Sequence, residues 1–240
     1  MLAEGKNPVF EAIKSGTTIE KIIVVDKTND AEIREQIKNA KDKKIRVEFA
    51  PKQVLDRMSK TGHHQGIIAF TTDYKYYDLE EVLKDLENSD KRKLFILLDG
   101  VEDPHNLGSI IRSAECLGFS GVIIPARHSA LVNETVIRSS AGAIIYVKVI
   151  KVNNLNDAIK RLKEENIFVY SADMDGEDIR KTNLKGNVAI VVGSEGFGVS
   201  DLARKLSDQI IKIPMTGNVN SMNASVSAGI CMYEAVMQGK

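Results

Sequence analysis

The run VVGSEGFGVS, residues 191–200, reads as the end of a buried strand leading straight into a glycine-rich loop. Loops of that kind usually cradle phosphate with backbone N–H groups. Here a carboxylate, Glu195, stands among Gly193, Gly196 and Gly198. The spacing matches neither G-x-x-x-x-G-K-[ST] nor G-x-G-x-x-G, the two glycine patterns that hold nucleotide phosphates. A carboxylate repels pyrophosphate, so the expected occupant is neutral or cationic, or else Glu195 faces a sugar hydroxyl. S-adenosylmethionine carries no phosphate, bears a sulfonium cation, and meets both conditions. Gly193 is expected to be glycine because a ligand approaches the backbone too closely for a side chain.

Two more stretches carry chemistry-bearing residues at suggestive spacing. In DPHNLGSIIRSAECLG, residues 103–118, Asn106 sits where a helix N-cap is expected and Gly118 where the helix should stop. Leu107, Ile110, Ile111, Ala114 and Leu117 form one apolar stripe, and Arg112 projects nearly opposite it. Gly108, one turn earlier, is expected to leave a shallow notch beneath Arg112. Taken alone, the segment also describes an ordinary surface arginine paired with Glu115. In IPMTGNVNSMNASVSAGICMYEA, residues 213–235, a strand ends at Pro214, and a Gly/Asn loop follows. The last helix is expected from about Met222 to Gln238, capped by Ser221 or Asn220. Ala224, Ser225, Ser227, Ala228 and Gly229 keep its first turns small, open to a ligand, a partner helix or plain packing.

The elements that position these motifs follow from hydrophobic period. From Leu94 onward, LFILL, GVIIP, YVKVI, IFVYSA, NVAIVV and QIIKIP read as strands alternating with helical segments. Continuous apolar strands between helices predict an α/β fold with a mostly parallel sheet covered on both faces. Ligands of such sheets bind beyond the carboxyl ends of the strands, where all three motifs fall. Residues 1–72 form a separate small α/β pattern: a helix NPVFEAIK ended by Gly16, a strand KIIVVD, and a helix from Asp30 to about Lys43. A strand IRVEF, a Pro-started helix PKQVLDRMSK and a strand GIIAF complete it. Residues 73–92 read as a linker with a short helix at 79–87, and 93–240 as the second domain.

Composition limits the functional classes. The 240 residues balance 33 Lys+Arg against 33 Asp+Glu, so bulk charge does not hold this chain to nucleic acid. Residues 1–72 nevertheless carry 13 basic and 10 acidic side chains, with His63 and His64 in addition. That histidine pair reads either as an RNA contact or as a turn before a strand. The first twenty residues hold no apolar signal core, and no apolar run is long enough to span a bilayer. Two cysteines, Cys116 and Cys231, lie outside any C-x-x-C arrangement and are expected on apolar helix faces. The reading is a soluble cytoplasmic protein with no membrane partner, and no His or carboxylate cluster suggests a metal.

Together, NLGSIIRSA, VVGSEGFGVS and IPMTGNVNSMNASVS resemble the three ordered motifs of the SpoU family of RNA ribose 2′-O-methyltransferases, in the SPOUT superfamily. The resemblance covers about residues 93–240. Residues 1–72, ending TGHHQGIIAF, resemble the ribosomal-protein-like (L7Ae/L30e-like) RNA-binding domain of bacterial enzymes that methylate a guanosine of 23S rRNA. The resemblance implies a domain with a C-terminal trefoil knot, against the general rule that chains are unknotted. It implies a homodimer with its active site near the subunit interface, S-adenosylmethionine as cofactor and large-subunit rRNA as partner. Gly193, Ile213 and Met222, with Gly198 and Pro214 beside them, match the cofactor positions. Asn106, Arg112, Glu195, Ser221 and Asn223 match the catalytic and substrate-facing positions. Met222 and Ala224 depart from the usual Leu and Val.

The implied reaction is attack of a ribose 2′-OH on the sulfonium methyl. Its weak joint is Arg112, assigned by the resemblance as a base. A guanidinium rarely loses its proton in a protein, so binding the adjacent phosphate and stabilising the developing alkoxide is an equally good role. Asn106 and Glu195 would then orient Arg112 and the ribose. Rival readings are a tRNA ribose methyltransferase, a non-catalytic RNA-binding assembly factor and a nucleotide-dependent oxidoreductase. The absence of either dinucleotide glycine pattern disfavours the last.

Overall fold

The computed structural model describes residues 2–15, 17–72, 74–218 and 221–239. Gly16, the expected stop of the first helix, and Asn220, one of the two expected caps, lie outside the described residues. The chain divides into two units, Met1–Lys75 with Val132–Glu134, and Tyr76–Leu131 with Thr135–Lys240.

The first unit runs β1 (Leu2–Glu4), α1 (Lys6–Ser15), β2 (Thr18–Val25), α2 (Ala31–Asp42), β3 (Val47–Ala50), α3 (Lys52–Met58) and β4 (Ile67–Thr72). Its sheet has the order β1-β4-β2-β3, with β2 parallel to β3 and antiparallel to β4. Strand alternation sorts the core onto two faces. Ile22 and Val24 pack with Val9, Ile13 and Ile33 from α1 and α2, while Ile23 meets Leu55 of α3. Asp30 caps α2 by accepting the N–H groups of Glu32 and Ile33, at 3.0 and 3.3 Å. Strand β1 carries no apolar alternation, and the sequence reading missed it. Tertiary pairing with β4 makes it a strand.

His64 is buried, at 4% exposure. Its Nε2 lies 2.8 Å from Asp56 Oδ1, and its Nδ1 accepts the Gly66 N–H at 3.0 Å. Both ring nitrogens are spent on holding the turn into β4, so this histidine has a structural role and the turn reading applies to it. His63 is exposed.

The second unit runs α4 (Leu79–Glu87), β5 (Leu94–Asp99), α5 (Pro104–Cys116), β6 (Gly121–Pro125), α6 (Glu134–Ser139), a 3-10 turn (Ala143–Ile145) and β7 (Lys148–Val152). It continues through α7 (Leu155–Glu164), β8 (Phe168–Asp178), β9 (Val188–Gly193), α8 (Asp201–Leu206), β10 (Gln209–Lys212) and α9 (Ala224–Gln238). All six strands are parallel, in the order β10-β8-β9-β5-β6-β7. Central β5 is buried on both faces, which is why LFILL is continuously apolar. One face packs on α4, α7 and α8, where Leu83, Ile159, Leu162 and Ala203 meet Phe95, Leu97, Val169 and Val191. On α5 and α9, Leu107, Ile110, Ile111, Ala228, Cys231 and Met232 are buried, and α9 packs on α5 and β9.

Several expectations change here. Most of the 73–92 stretch is no linker: Leu79, Val82 and Leu83 of α4 belong to the core of the second unit. The cap of α5 is Asp103, which accepts the His105 N–H at 2.9 Å, with Pro104 in the first turn. A proline preset for the helix start displaces the boundary three residues ahead of Asn106, leaving Asn106 free for other work. Gly118, at φ +71°, closes α5 in the left-handed conformation as expected. Gly108 leaves no notch: a Cβ there would lie 1.9 Å from Ser139 Oγ and 2.9 Å from the Val136 carbonyl, so α6 fills the space. Cys116 is exposed, whereas Cys231 is buried and its thiol is pushed up to about 12 by desolvation.

The last turn of α9 is clamped by Arg92, two residues ahead of β5. Arg92 donates to the carbonyls of Gly186 (2.7 Å), Leu184 (2.7 Å) and Ala235 (2.9 Å), and burial holds its pKa below the ordinary guanidinium value. Arg92→Ala leaves those three carbonyls without their cation. It is expected to cost at least about 2 kcal/mol, read as a lower denaturant midpoint with unchanged slope. A wild-type midpoint would contradict the clamp.

Candidate active site

The three motifs converge at the carboxyl ends of β9 and β5. Gly193 ends β9, and the loop after it folds back on itself: Gly198 donates its N–H to the Ser194 carbonyl at 2.9 Å, with Gly198 at φ +67°. A Cβ on Gly193 would lie 1.9 Å from the Gly198 carbonyl carbon and 2.3 Å from the Val199 nitrogen. This corrects the reason for the glycine. The chain's own loop, not a ligand, takes the side-chain space. Ser200 fixes the far end of the loop by donating its N–H to Asp99 Oδ2 at 2.8 Å, at the end of β5. Gly193→Ala is expected to push the loop outward and cost about 1–3 kcal/mol, visible in a denaturation curve; an unchanged midpoint would contradict the close approach.

That back-folded loop carries Glu195 to the start of α9. Glu195 Oε1 accepts from Asn223 Nδ2 at 2.6 Å, from the Ala224 N–H at 3.2 Å and from Asn106 Nδ2 at 3.3 Å. Asn223 Nδ2 also donates to Asn106 Oδ1 at 2.9 Å. One residue from each motif thus closes a triangle. A carboxylate only accepts, so it fixes both amide groups with their NH₂ toward it. Its charge also sits at the N-terminus of a 15-residue helix, where the helix dipole favours an anion. Asn106 is 8% exposed, so losing this partner would strand a buried amide. Among the described residues Glu195 Oε2 takes no hydrogen bond.

Asn223, rather than Ser221, caps α9. Its Oδ1 accepts the N–H groups of Ser225 and Val226, at 3.0 and 3.3 Å. Reading the cap two residues early missed that one asparagine serves both ends of its amide, the carbonyl for the helix and the NH₂ for Glu195.

Two clefts share the loop 194–198 as a wall. The first, about 420 Å³, is lined by Gly193, Gly198, Ile213, Ser221, Met222 and Ser227, by Asp173 and Met174 of β8, and by Arg204, Lys212 and Met215. The second, about 520 Å³, runs along residues 99–103, Asn106 and His128. Both are of the size that holds small-molecule ligands. Glu195 and Phe197 line both. Pro214 is exposed and lines neither cleft.

Arg112 is not brought to the triangle. It is exposed on α5, lines neither cleft, and makes no hydrogen bond or ion pair among the described residues, with Glu115 or otherwise. Asp173, Met174, Arg204 and Lys212 are site residues that the sequence reading missed. The register of β8 against β10 jumps from Ser171–Ile210 to Glu177–Ile211, so residues 172–176 arch out of the ladder toward the first cleft. Gly176 allows the arch to close, since a Cβ there would lie 2.4 Å from the Ile211 carbonyl carbon. The sequence reading ends this strand at Ala172, and Gly176 in the acidic run DMDGED after it was the only local signal of a close approach. Arg204 Nη1 lies 3.6 Å from Asp173 Oδ2 and its Nη2 3.4 Å from Asp175 Oδ2, tying α8 to the arch.

Comparison with known proteins agrees with the geometry. Residues 93–233 match the SpoU rRNA Methylase family, and residues 2–77 match the family described as RNA 2′-O ribose methyltransferase substrate binding. A curated TrmH family tRNA/rRNA methyltransferase of Staphylococcus aureus is 43% identical, covering 96% of this chain and 93% of its own. A Bacillus subtilis relative of the same description is 40% identical over 96% of this chain and 92% of its own. Among solved structures, the SpoU methyltransferase AviRb of Streptomyces viridochromogenes, in complex with AdoMet, shares the fold. Its TM-score is 0.62 at 24% identity, over 99% of this chain and 90% of that one. The A. aeolicus TrmH/SpoU tRNA modifying enzyme matches 67% of this chain and 83% of its own, with a TM-score of 0.57 at 27% identity. The motif triangle, the parallel sheet that carries it and the match over most of the chain's length place this protein in the SpoU family of RNA methyltransferases.

Proposed function

We propose that the protein transfers a methyl group from S-adenosylmethionine to the ribose 2′-OH of a guanosine in 23S rRNA, in the cytoplasm. The observation that carries this reading is the Asn106–Glu195–Asn223 triangle in the wall between two clefts, one for the methyl donor and one for the nucleotide. The first cleft fits the donor by its chemistry. Ile213, Met215 and Met222 offer apolar surface to an adenosine, Ser221 and Ser227 offer hydroxyls, and Lys212 offers a cation to a carboxylate. When bound there, S-adenosylmethionine supplies an electrophilic methyl group.

The chain's own residues hold the nucleophile. Glu195 spends Oε1 on the triangle, and Oε2 is left to accept the hydrogen bond of the ribose hydroxyl, orient it, and take its proton as the oxygen attacks the methyl carbon and the thioether leaves. Asn106 and Asn223 hold the carboxylate still, which spares it reorganisation as the hydroxyl reacts. Arg112 lines neither cleft of its own chain, so its charge enters through a second copy. Val226, Ile230, Tyr233 and Met237 support such a homodimer. They are exposed along one face of α9 at helical spacing, the pattern of a helix awaiting an apolar partner. Arg112 of the partner subunit then binds the neighbouring phosphate and stabilises the developing alkoxide.

The first unit is assigned the RNA. It matches a substrate-binding family, holds the basic surplus of the sequence, and is taken as the ribosomal-protein-like module of the resemblance. A trefoil knot of the SPOUT kind, between β10 and α9, is part of this reading. Titration calorimetry with S-adenosylmethionine, NAD and ATP tests the donor. Saturable heat with the first alone is expected, and binding of NAD or ATP instead would overturn the reading.

A further inference from the structure

Phe197 is 94% exposed, between Gly196 and Gly198, on the loop that carries Glu195. No other large apolar side chain among the described residues is as bare, and water is a poor neighbour for a phenyl ring. It lines the second cleft as well as the first. The lining of the second cleft says what can lie against it. Asp99, Glu102 and Asp103 carry negative charge. Two of them are already engaged, Asp99 with the Ser200 N–H and Asp103 with the His105 N–H, and Glu102 lies 3.8 Å from His128 Nδ1. Such a lining turns phosphate away and leaves room for a neutral, flat group.

We propose that Phe197 is the stacking platform for the base of the nucleotide that is methylated, and that this nucleotide occupies the second cleft. The inference rests on the ribose-methylation reading of the site. A base against Phe197 puts its ribose beside Glu195, two residues back on the same loop, with the donor cleft on the other side of that wall. Every base has a π-face, so the ring supplies affinity and orientation, and base identity is read elsewhere. Single-stranded or splayed-out RNA is the form that can present a base in this way. Phe197 acts as a positioning residue: it touches the base, not the reacting atoms.

The test uses the full chain. Phe197→Ala is expected to raise KM for 23S rRNA, taken from a strain lacking the gene, by at least about tenfold. Affinity for S-adenosylmethionine should stay within about twofold, since Ile213, Met215 and Met222 remain. Phe197→Tyr should recover most of the loss and Phe197→Leu should not, because stacking needs a ring. The chain contains no tryptophan, so Phe197→Trp places a single indole reporter. Its emission should be quenched by the rRNA and unmoved by S-adenosylmethionine. Four results would overturn the stacking role: an unchanged KM in the alanine variant, equal rescue by leucine, an equal loss of donor affinity, or dissociation of the dimer. A wild-type chain that methylates no ribose would overturn the reading of the site and this inference together. Wild-type methylation with an indifferent Phe197→Ala would remove the inference alone.

Discussion

Arg112→Ala is expected to fold and bind S-adenosylmethionine as the wild type does, yet to transfer methyl groups at least about 10²-fold more slowly. The side chain is exposed and has no partner among the described residues, so its removal should change stability by no more than about 0.5 kcal/mol. Arg112→Lys then divides the two roles. A point charge on phosphate is restored by lysine, whereas a planar fork is not. Base catalysis predicts that lysine, which can lose its proton, shifts the pH–rate profile. Steady-state transfer at saturating RNA reads all of this. Full activity in the alanine variant would remove Arg112 from the mechanism.

Glu195→Gln should be nearly as damaging for a different reason. Glutamine keeps an oxygen that can accept from Asn106, Asn223 and the Ala224 N–H, so the fold should survive. The loss of charge at the start of α9 should cost no more than about 1 kcal/mol. What disappears is the second acceptor: Oε2 becomes an NH₂ that cannot receive a hydroxyl proton. Methyl transfer is expected to fall about 10²-fold or more with donor affinity retained. A glutamine variant at the wild-type rate would reduce Glu195 to a structural tie.

The pair also reports whether the site is shared. If Arg112 of the partner subunit serves the Glu195 of this one, a mixed dimer of Arg112→Ala and Glu195→Gln has one intact site. Equal mixing with free exchange should then return about a quarter of wild-type activity from two inactive parents. No recovery from dimers shown to have exchanged would put Arg112 and Glu195 in the same chain's site.

Where local chemistry decided the structure, the sequence could be read closely. Helix α4 is a clean amphipathic stretch behind an Asp78 cap and runs over the expected 79–87. The strands of the second unit stand at the expected apolar runs, most plainly β5, β6 and β9, because a strand buried on both faces advertises itself. Its domain assignment was harder, since the same apolar face that makes α4 a helix also commits it to a core, and the polar residues around it resemble a linker. Caps failed wherever several candidates crowded together. Asp103 and Asn106 both qualify for α5, and the proline between them settles the choice. At α9, Ser221 and Asn223 compete, and only the position of Glu195 across the loop favours the second.

Glycine was the least transparent residue. Gly108 was expected to leave an open notch beneath Arg112 and Gly193 to clear room for a ligand, yet Ser139 and the Gly198–Val199 backbone occupy those spaces. The absence of a side chain in the sequence records a close approach without saying what approaches. The arch at 172–176 was hidden because the expected strand ends at Ala172 and the run DMDGED beyond it carries no strand alternation, although β8 continues to Asp178. Asn106, Glu195 and Asn223 could each be singled out from their motifs. That they would bond to one another across 89 and 117 residues followed only once the sheet had brought the strand ends together.

Ribose methylation is tested most directly by incubating the purified full chain with S-adenosylmethionine and 23S rRNA from a strain lacking the gene, then mapping the methylated nucleotide. The expected product is a single new methyl group, on the ribose 2′-oxygen of a guanosine, absent when Glu195→Gln replaces the wild type. A methyl group on a base, or transfer to tRNA with none to rRNA, would contradict it.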